Sequence, residues 1–162
     1  MTELRTVGAD DWQAMRDIRL DALRDAPYAF ASTYAREAAF PEETWRERAR
    51  SGNSIVAYLP ESGQQPMGLV ASIQEVPGVL ELVSMWVRPQ ARGRQVGSAL
   101  AEAIVERARR GQQAQVHLWV TESNKPALRL YERCGFSPTG ERQPLPSDPA
   151  LMELAMARAV AP

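Results

Sequence analysis

Residues 81–100 read ELVSMWVRPQARGRQVGSAL. The first seven are mostly apolar and partly β-branched, the composition of a buried strand. Pro89 ends that strand, because a proline has no N–H to give the ladder. The next segment, through Arg92, Gly93, Arg94, Gln95, Val96, Gly97 and Ser98, is short, basic and punctuated by glycine. It runs into Val96, Leu100, Ala103 and Ile104, which recur at helical spacing. A strand, a basic turn and a helix in that order gather free backbone N–H groups and the positive helix end around one point, as a phosphate cradle requires. Arg92 and Arg94 add fixed charge suited to a diphosphate. The cradle is not a P-loop, since no Gly-Lys-Ser/Thr follows, and G-x-G-x-x-G is absent.

Upstream, Leu4 to Val7 forms a short strand candidate, and Asp10 with Gln13 offers a capping box for an amphipathic helix over 11–24. An irregular aromatic link over 27–34 leads to a second helix over 41–50 anchored by Trp45. Strands over 54–59 and 67–73 follow, with turn signals at 60–63 and at Pro77-Gly78, so they and the 81–87 strand are antiparallel neighbours. Downstream, the helix from the cradle runs to about Arg110 and stops at Gly111. The strand over 115–121 is then parallel to that at 81–87, because a helix lies between them. Pro144, Pro146 and Pro149 suggest a stiff connector before a last strand over 151–156.

Between them, Asn124, Ala127, Leu130, Tyr131, Gly135 and Phe136 stand at the spacing Asn-x-x-Ala-x-x-Leu-Tyr-x-x-x-Gly-Phe. Asn124 reads as a helix N-cap, Pro126 sits in the first turn, and Gly135 terminates. This segment resembles one motif of the GNAT superfamily of acetyl-coenzyme A-dependent N-acetyltransferases, and Arg92 to Gly97 resembles that family's pyrophosphate loop. Gln95 stands where the family usually has its first glycine. A left-handed backbone there would cost a residue with a Cβ roughly 1–2 kcal/mol, so a right-handed loop is expected. The resemblance covers about 54–139.

The resemblance implies an α+β fold: a GNAT-like, mostly antiparallel twisted sheet of six to seven strands with about four flanking helices and splayed fourth and fifth strands. Acetyl-coenzyme A as cosubstrate would lie in that splay, with no metal. By the same resemblance Met85, Trp86 and Val87 meet its pantetheine and acetyl ends. Arg92, Gly93, Arg94, Gln95, Val96, Gly97 and Ser98 meet its diphosphate, and Asn124, Ala127 and Tyr131 complete the site. Trp86 points opposite to Met85, toward the core or the acceptor.

Amine acetylation requires a base, since an alkylamine with a pKa near ~10 is less than about one part in a thousand neutral at pH 7. Strand alternation puts Glu81, Val83, Met85 and Val87 on one face, and a carboxylate among those apolar neighbours is poised as that base. Glu81 also stands eleven residues before Arg92, the register of the catalytic glutamate in the histone-acetylating branch of the superfamily. It reads equally as a solvated strand-end residue. Tyr131 is either the general acid that protonates the thiolate or a core residue. His117, the one histidine, reads as packing.

At 162 residues, 44% hydrophobic and 24% charged, the chain fits one domain, 1–162. Its formal net charge of −1 provides no field for nucleic acid. One cysteine, no signal peptide and no apolar span point to the cytoplasm and away from membranes. The acceptor expected is a small primary amine, drawn by Glu37, Glu81 and Asp148 and packed by Phe30, Tyr28 or Tyr34. A peptide or protein amine, or a catalytically silent coenzyme A-binding module, are the alternatives. A homodimer is an assembly the family often forms.

Overall fold

The computed structural model describes residues 1–160; Ala161 and Pro162, the end of the expected domain, lie outside them. Twelve elements follow in order: β1 (Glu3–Thr6), α1 (Trp12–Asp25), α2 (Tyr34–Ala38), α3 (Glu42–Arg50), β2 (Ser54–Tyr58), β3 (Gly68–Val76), β4 (Val79–Val87), α4 (Val96–Arg110), β5 (Gln115–Thr121), α5 (Lys125–Arg133), β6 (Ser137–Leu145) and β7 (Asp148–Ala159). The strands form one sheet in the order β1-β2-β3-β4-β5-β7-β6. All neighbours are antiparallel except β4 and β5. The α+β expectation holds. Among the described residues no helix is long and apolar enough to cross a membrane.

The parallel pair is short. Only Val79, Leu80 and Glu81 pair with Gln115, Val116 and His117, and beyond Glu81 the two strands part. α4 makes the crossover between them and packs back on one face of the sheet. There Leu80, Leu82, Val116, Leu118 and Met156 meet Leu100, Ile104 and Val105. On the other face Val56, Leu69 and Trp86 meet Ile18, Leu23 and Trp45 of α1 and α3. The two apolar layers hold the sheet rigid around its open seam.

One expectation about β4 fails. Trp86 lies opposite Leu69, but Val83 lies opposite Ala71, so Ser84 and Met85 together span the single residue Val70. This is a β-bulge, and Ser84 carries its positive φ of 64°. An inserted residue reverses the alternation beyond it. Met85 and Val87 therefore pack on the α4 side with Leu80 and Leu82, while Glu81 and Val83 face the α1 side, as Trp86 does. Glu81, Val83, Met85 and Val87 do not share a face.

Three further departures are local. A single helical turn at Ala9–Asp11 precedes α1, and Asp11 rather than Asp10 accepts from the Gly8 N–H at 3.0 Å. The aromatic link contains a single helical turn at Pro27–Ala29 and leads into a short helix, α2, capped by Thr33. The Pro-rich stretch is a strand hairpin rather than a connector. Pro138 and Pro144 lie on β6, the edge strand of the sheet, where a missing N–H breaks no second ladder.

Candidate active site

The seam between β4 and β5 opens into a cleft of about 660 Å³. Its β4 wall is Met85, Trp86 and Val87. After Val87 the chain makes one turn at Pro89–Ala91, extends through Arg92, and enters α4 through Gly93 at φ 76° and Gln95 at φ 64°. The expected right-handed Gln95 is thus wrong. Gln95 occupies the N-cap position of α4 in the left-handed region, because the chain must turn from extended Arg92 straight into the helix. A glycine would hold that conformation without the roughly 1–2 kcal/mol cost that a Cβ brings.

The first N–H groups of α4, on Val96, Gly97 and Ser98, have no partner within the helix and border the cleft with Arg92, Gly93 and Gln95. Gly97 sits where a Cβ would come within 3.0 Å of Leu130 Cδ2 and 3.7 Å of Val87 Cγ2, so its lack of a side chain keeps the cleft open there. Asn124 and Ala127 form the far wall, and the Asn124 side chain caps α5 by accepting from the Ala127 N–H. Arg92 is fixed across the mouth, donating from Nε to the Val87 carbonyl (3.0 Å) and from Nη2 to Asp25 Oδ2 (2.9 Å). The same Asp25 oxygen accepts from Trp86 Nε1 at 3.0 Å, which holds the buried indole on the α1 side.

Two expected contributors are elsewhere. Arg94 is outside the cleft lining and pairs with Glu61. Tyr131 is also outside the lining, with its ring against Phe136 at 5.9 Å in the α4-side core. Burial, then the nearby Cys134, pushes its phenol above the usual range. Tyr28, expected to pack the acceptor, lines this cleft from the α1–α2 loop, and Arg133 at the end of α5 lines it too, a residue that sequence reasoning missed. The Tyr28 carbonyl accepts from Thr121 Oγ1 (2.6 Å), which pins that loop to the end of β5.

Around the corner of the seam, on the α1-side face, Glu81 meets His117. The Glu81 carboxylate lies 3.5 Å from His117 Nδ1, at the last rung before β4 and β5 part. Burial raises the Glu81 pKa, the facing His117 lowers it, and Glu75 raises it further, with a net rise. Glu153 of β7 is also raised, by burial first, against the hydrogen bond from Gln143 and with help from Glu81. The His117 ring stands edge-on to Trp119, 5.6 Å between centroids. No signal along the chain announces the Glu81–His117 pair, because it arises from the register of two strands 36 positions apart.

Phe30 and Glu37, expected to meet the acceptor, are buried rather than water-facing. Phe30 is buried beneath the Arg19 guanidinium, 4.9 Å away, and Glu37 is 1% exposed. Glu37 of α2 accepts from Arg19 Nε (3.0 Å) and Nη2 (2.9 Å) and from Arg48 Nη1 (2.9 Å). It ties α1, α2 and α3 together, and its charge is already neutralised.

The sequence profile of the Acetyltransferase (GNAT) family matches residues 12–136. The chain belongs to the GNAT family. It is 35% identical over 85 residues to an uncharacterised N-acetyltransferase of Methanocaldococcus jannaschii, a match spanning 49% of this chain and 38% of that protein. The chain thus spans well under half the length of the curated relatives it matches. Among solved structures, a GNAT acetyltransferase of Streptococcus pneumoniae superposes with a TM-score of 0.78 at 17% identity, covering 99% of this chain and 100% of that one. A Salmonella typhimurium protein described as a putative acetyltransferase with its cofactor acetyl-CoA gives 0.76 at 18% identity, covering 100% and 95%. These likenesses establish a shared GNAT fold.

Proposed function

We propose that this chain is an acetyl-coenzyme A-dependent N-acetyltransferase of the cytoplasm, working as one domain, that acetylates a small primary amine by direct transfer. The observation that carries this reading is the β4–β5 parting, with α4's free N–H groups and Gly97 at its mouth. A diphosphate fits that mouth: the backbone approaches closely, the helix end is positive, and Arg92 is fixed beside it. Gly93, Gln95, Val96, Gly97 and Ser98 would hold the diphosphate, and Met85 and Val87 the pantetheine arm. Acetyl-coenzyme A supplies a thioester-activated acetyl group.

The residues then divide the proton work. Glu81, with its pKa raised by burial, takes the proton of the incoming ammonium, and His117 at 3.5 Å steadies the carboxylate. Met85, the second residue of the bulge, offers its N–H to the acetyl oxygen. Tyr131 is assigned the departing thiolate by the resemblance alone: its buried ring lies outside the cleft lining, and its raised pKa makes the phenol a weaker acid than usual.

A base works only when deprotonated, so the rate should rise with pH through the Glu81 pKa, and that limb should sit above the ordinary carboxylate range. Glu81→Gln is expected to lower kcat by about a hundredfold, leave acetyl-coenzyme A affinity nearly unchanged and erase the acidic limb. An unaltered pH–rate profile would remove Glu81 from the mechanism. Tyr131→Phe should slow transfer about tenfold or more with coenzyme affinity retained, measured by single-turnover kinetics. Wild-type rates in that variant would leave Tyr131 as a core residue only.

A further inference from the structure

A second cavity, of about 550 Å³, lies across β4 from the coenzyme cleft, and the two approach one another at the bulge. Met85 and Val87 line the first; Val83 and Ser84 line the second. The floor of the second is apolar, formed by Leu69, Ala71, Ile73 and Val83. Its opposite wall carries two guanidinium groups, Arg19 from α1 and Arg48 from α3. Ser84, strained at φ 64°, accepts from Arg19 Nη1 at 3.2 Å, so one guanidinium reaches the bulge itself.

Both arginines are held in place. Glu37 takes Arg19 through two hydrogen bonds and Arg48 through one. The Arg48 guanidinium also lies 4.9 Å from the Phe40 ring centre and 5.2 Å from that of Trp45. Among the described residues its other N–H donors are uncommitted, and a guanidinium fork presents paired donors that match a carboxylate. Two cations stand against the carboxylates of Glu37 and Glu47, so the wall is neutral overall and offers an anion guanidinium donors rather than a net field. The other charged side chain along the cavity is Glu47, exposed on α3. Glu81 points to this same side of β4, one alternation from Val83.

We propose that this cavity receives an acceptor that carries a carboxylate beside its amine, an α-amino acid-type substrate, with Arg19 and Arg48 as the carboxylate receptors. The proposal rests on the acetyltransferase reading above and narrows its acceptor. Because Arg19 reaches the bulge, the anionic group sits close to the reacting nitrogen, and an apolar side chain covers the Leu69–Val83 floor. In the transfer, Glu81 takes one proton of the ammonium, the nitrogen–carbon bond forms, the carbon–sulfur bond breaks, and the second nitrogen proton ends on the departing thiolate, relayed by Tyr131 or solvent. The carboxylate stays ionised and bound throughout. A purely cationic polyamine would meet two guanidiniums instead, which disfavours it.

The test is thiol release from acetyl-coenzyme A with matched amines that differ by the carboxylate alone: leucine against isopentylamine, phenylalanine against phenethylamine, with spermidine alongside. Wild type should favour the amino acid by about tenfold or more in kcat/KM. Arg48→Gln should collapse that ratio, chiefly through KM, and Arg48→Lys should restore part of it. Calorimetry with N-acetyl-leucine and wild-type protein gives a readout free of catalysis, and binding is expected. Better turnover of the bare amines or of spermidine overturns the proposal and leaves the acetyltransferase reading standing. Absence of acetyl-coenzyme A binding and of turnover for every amine overturns both.

Discussion

Replacing Glu37 by glutamine is expected to destabilise the fold by about 3–5 kcal/mol, because it breaks a buried ion pair on one side only. The glutamine would leave two guanidiniums, on α1 and α3, facing an amide that can neutralise neither. A domain this size has roughly 5–15 kcal/mol in total, so the loss would lower the melting midpoint by about 10 °C. Burial alone would raise the Glu37 pKa; the Arg19 hydrogen bond and charge, then Ser32 and Arg48, overcome that and set it at about 2, below its ordinary 4.5. A depressed carboxylate pKa stabilises the fold above the unfolded value and loses that contribution as pH falls toward the folded one. Wild type should therefore lose stability between about pH 5 and pH 2 more steeply than Glu37→Gln, which chemical denaturation over that range would measure. Equal slopes would mean that the arginines do not depend on Glu37.

Gly97→Asp should reduce acetyl-coenzyme A binding about a hundredfold or more, the largest functional effect expected of one substitution. A Cβ at this position already comes within 3.0 Å of Leu130, and the carboxylate beyond it must project into the space between Val87 and α5. It would also set a negative charge beside the free N–H groups that a diphosphate needs. Like charges brought together at a binding site cost several kcal/mol, and a hundredfold is about 2.8 kcal/mol. Titration calorimetry reads the loss, with circular dichroism to verify folding. A folded Gly97→Asp protein with wild-type affinity would move the diphosphate away from α4.

The motifs that were legible in the chain are the contiguous ones. Asn124, Pro126 and Gly135 carry their own cap and stop chemistry, and each performs it in α5. The strand–turn–helix run into α4 was equally readable, since Pro89 and the periodic Val96, Leu100 and Ile104 lie within a few turns of each other. What escaped depends on partners distant in sequence. Nothing in ELVSMWV marks Ser84 as an inserted residue; the bulge exists only against β3. Glu37 looked available because its two arginines come from helices 18 residues before it and 11 after it. His117 looked like packing until the β4–β5 register put it opposite Glu81. β6 looked like a connector because an edge strand tolerates prolines that a central strand would not. Gln95 adopts the glycine-like conformation because its place between turn and helix requires it.

A productive acetyl-coenzyme A complex in the cleft between β4 and β5 must release thiol only when an amine is present. Stopped-flow measurement of thiol release, with saturating acetyl-coenzyme A and an amine series, tests it most directly. The predicted result is amine-dependent, saturable release by wild type that disappears in folded Gly97→Asp protein. Tight coenzyme binding without release for any amine would contradict the account and leave a binding module in its place.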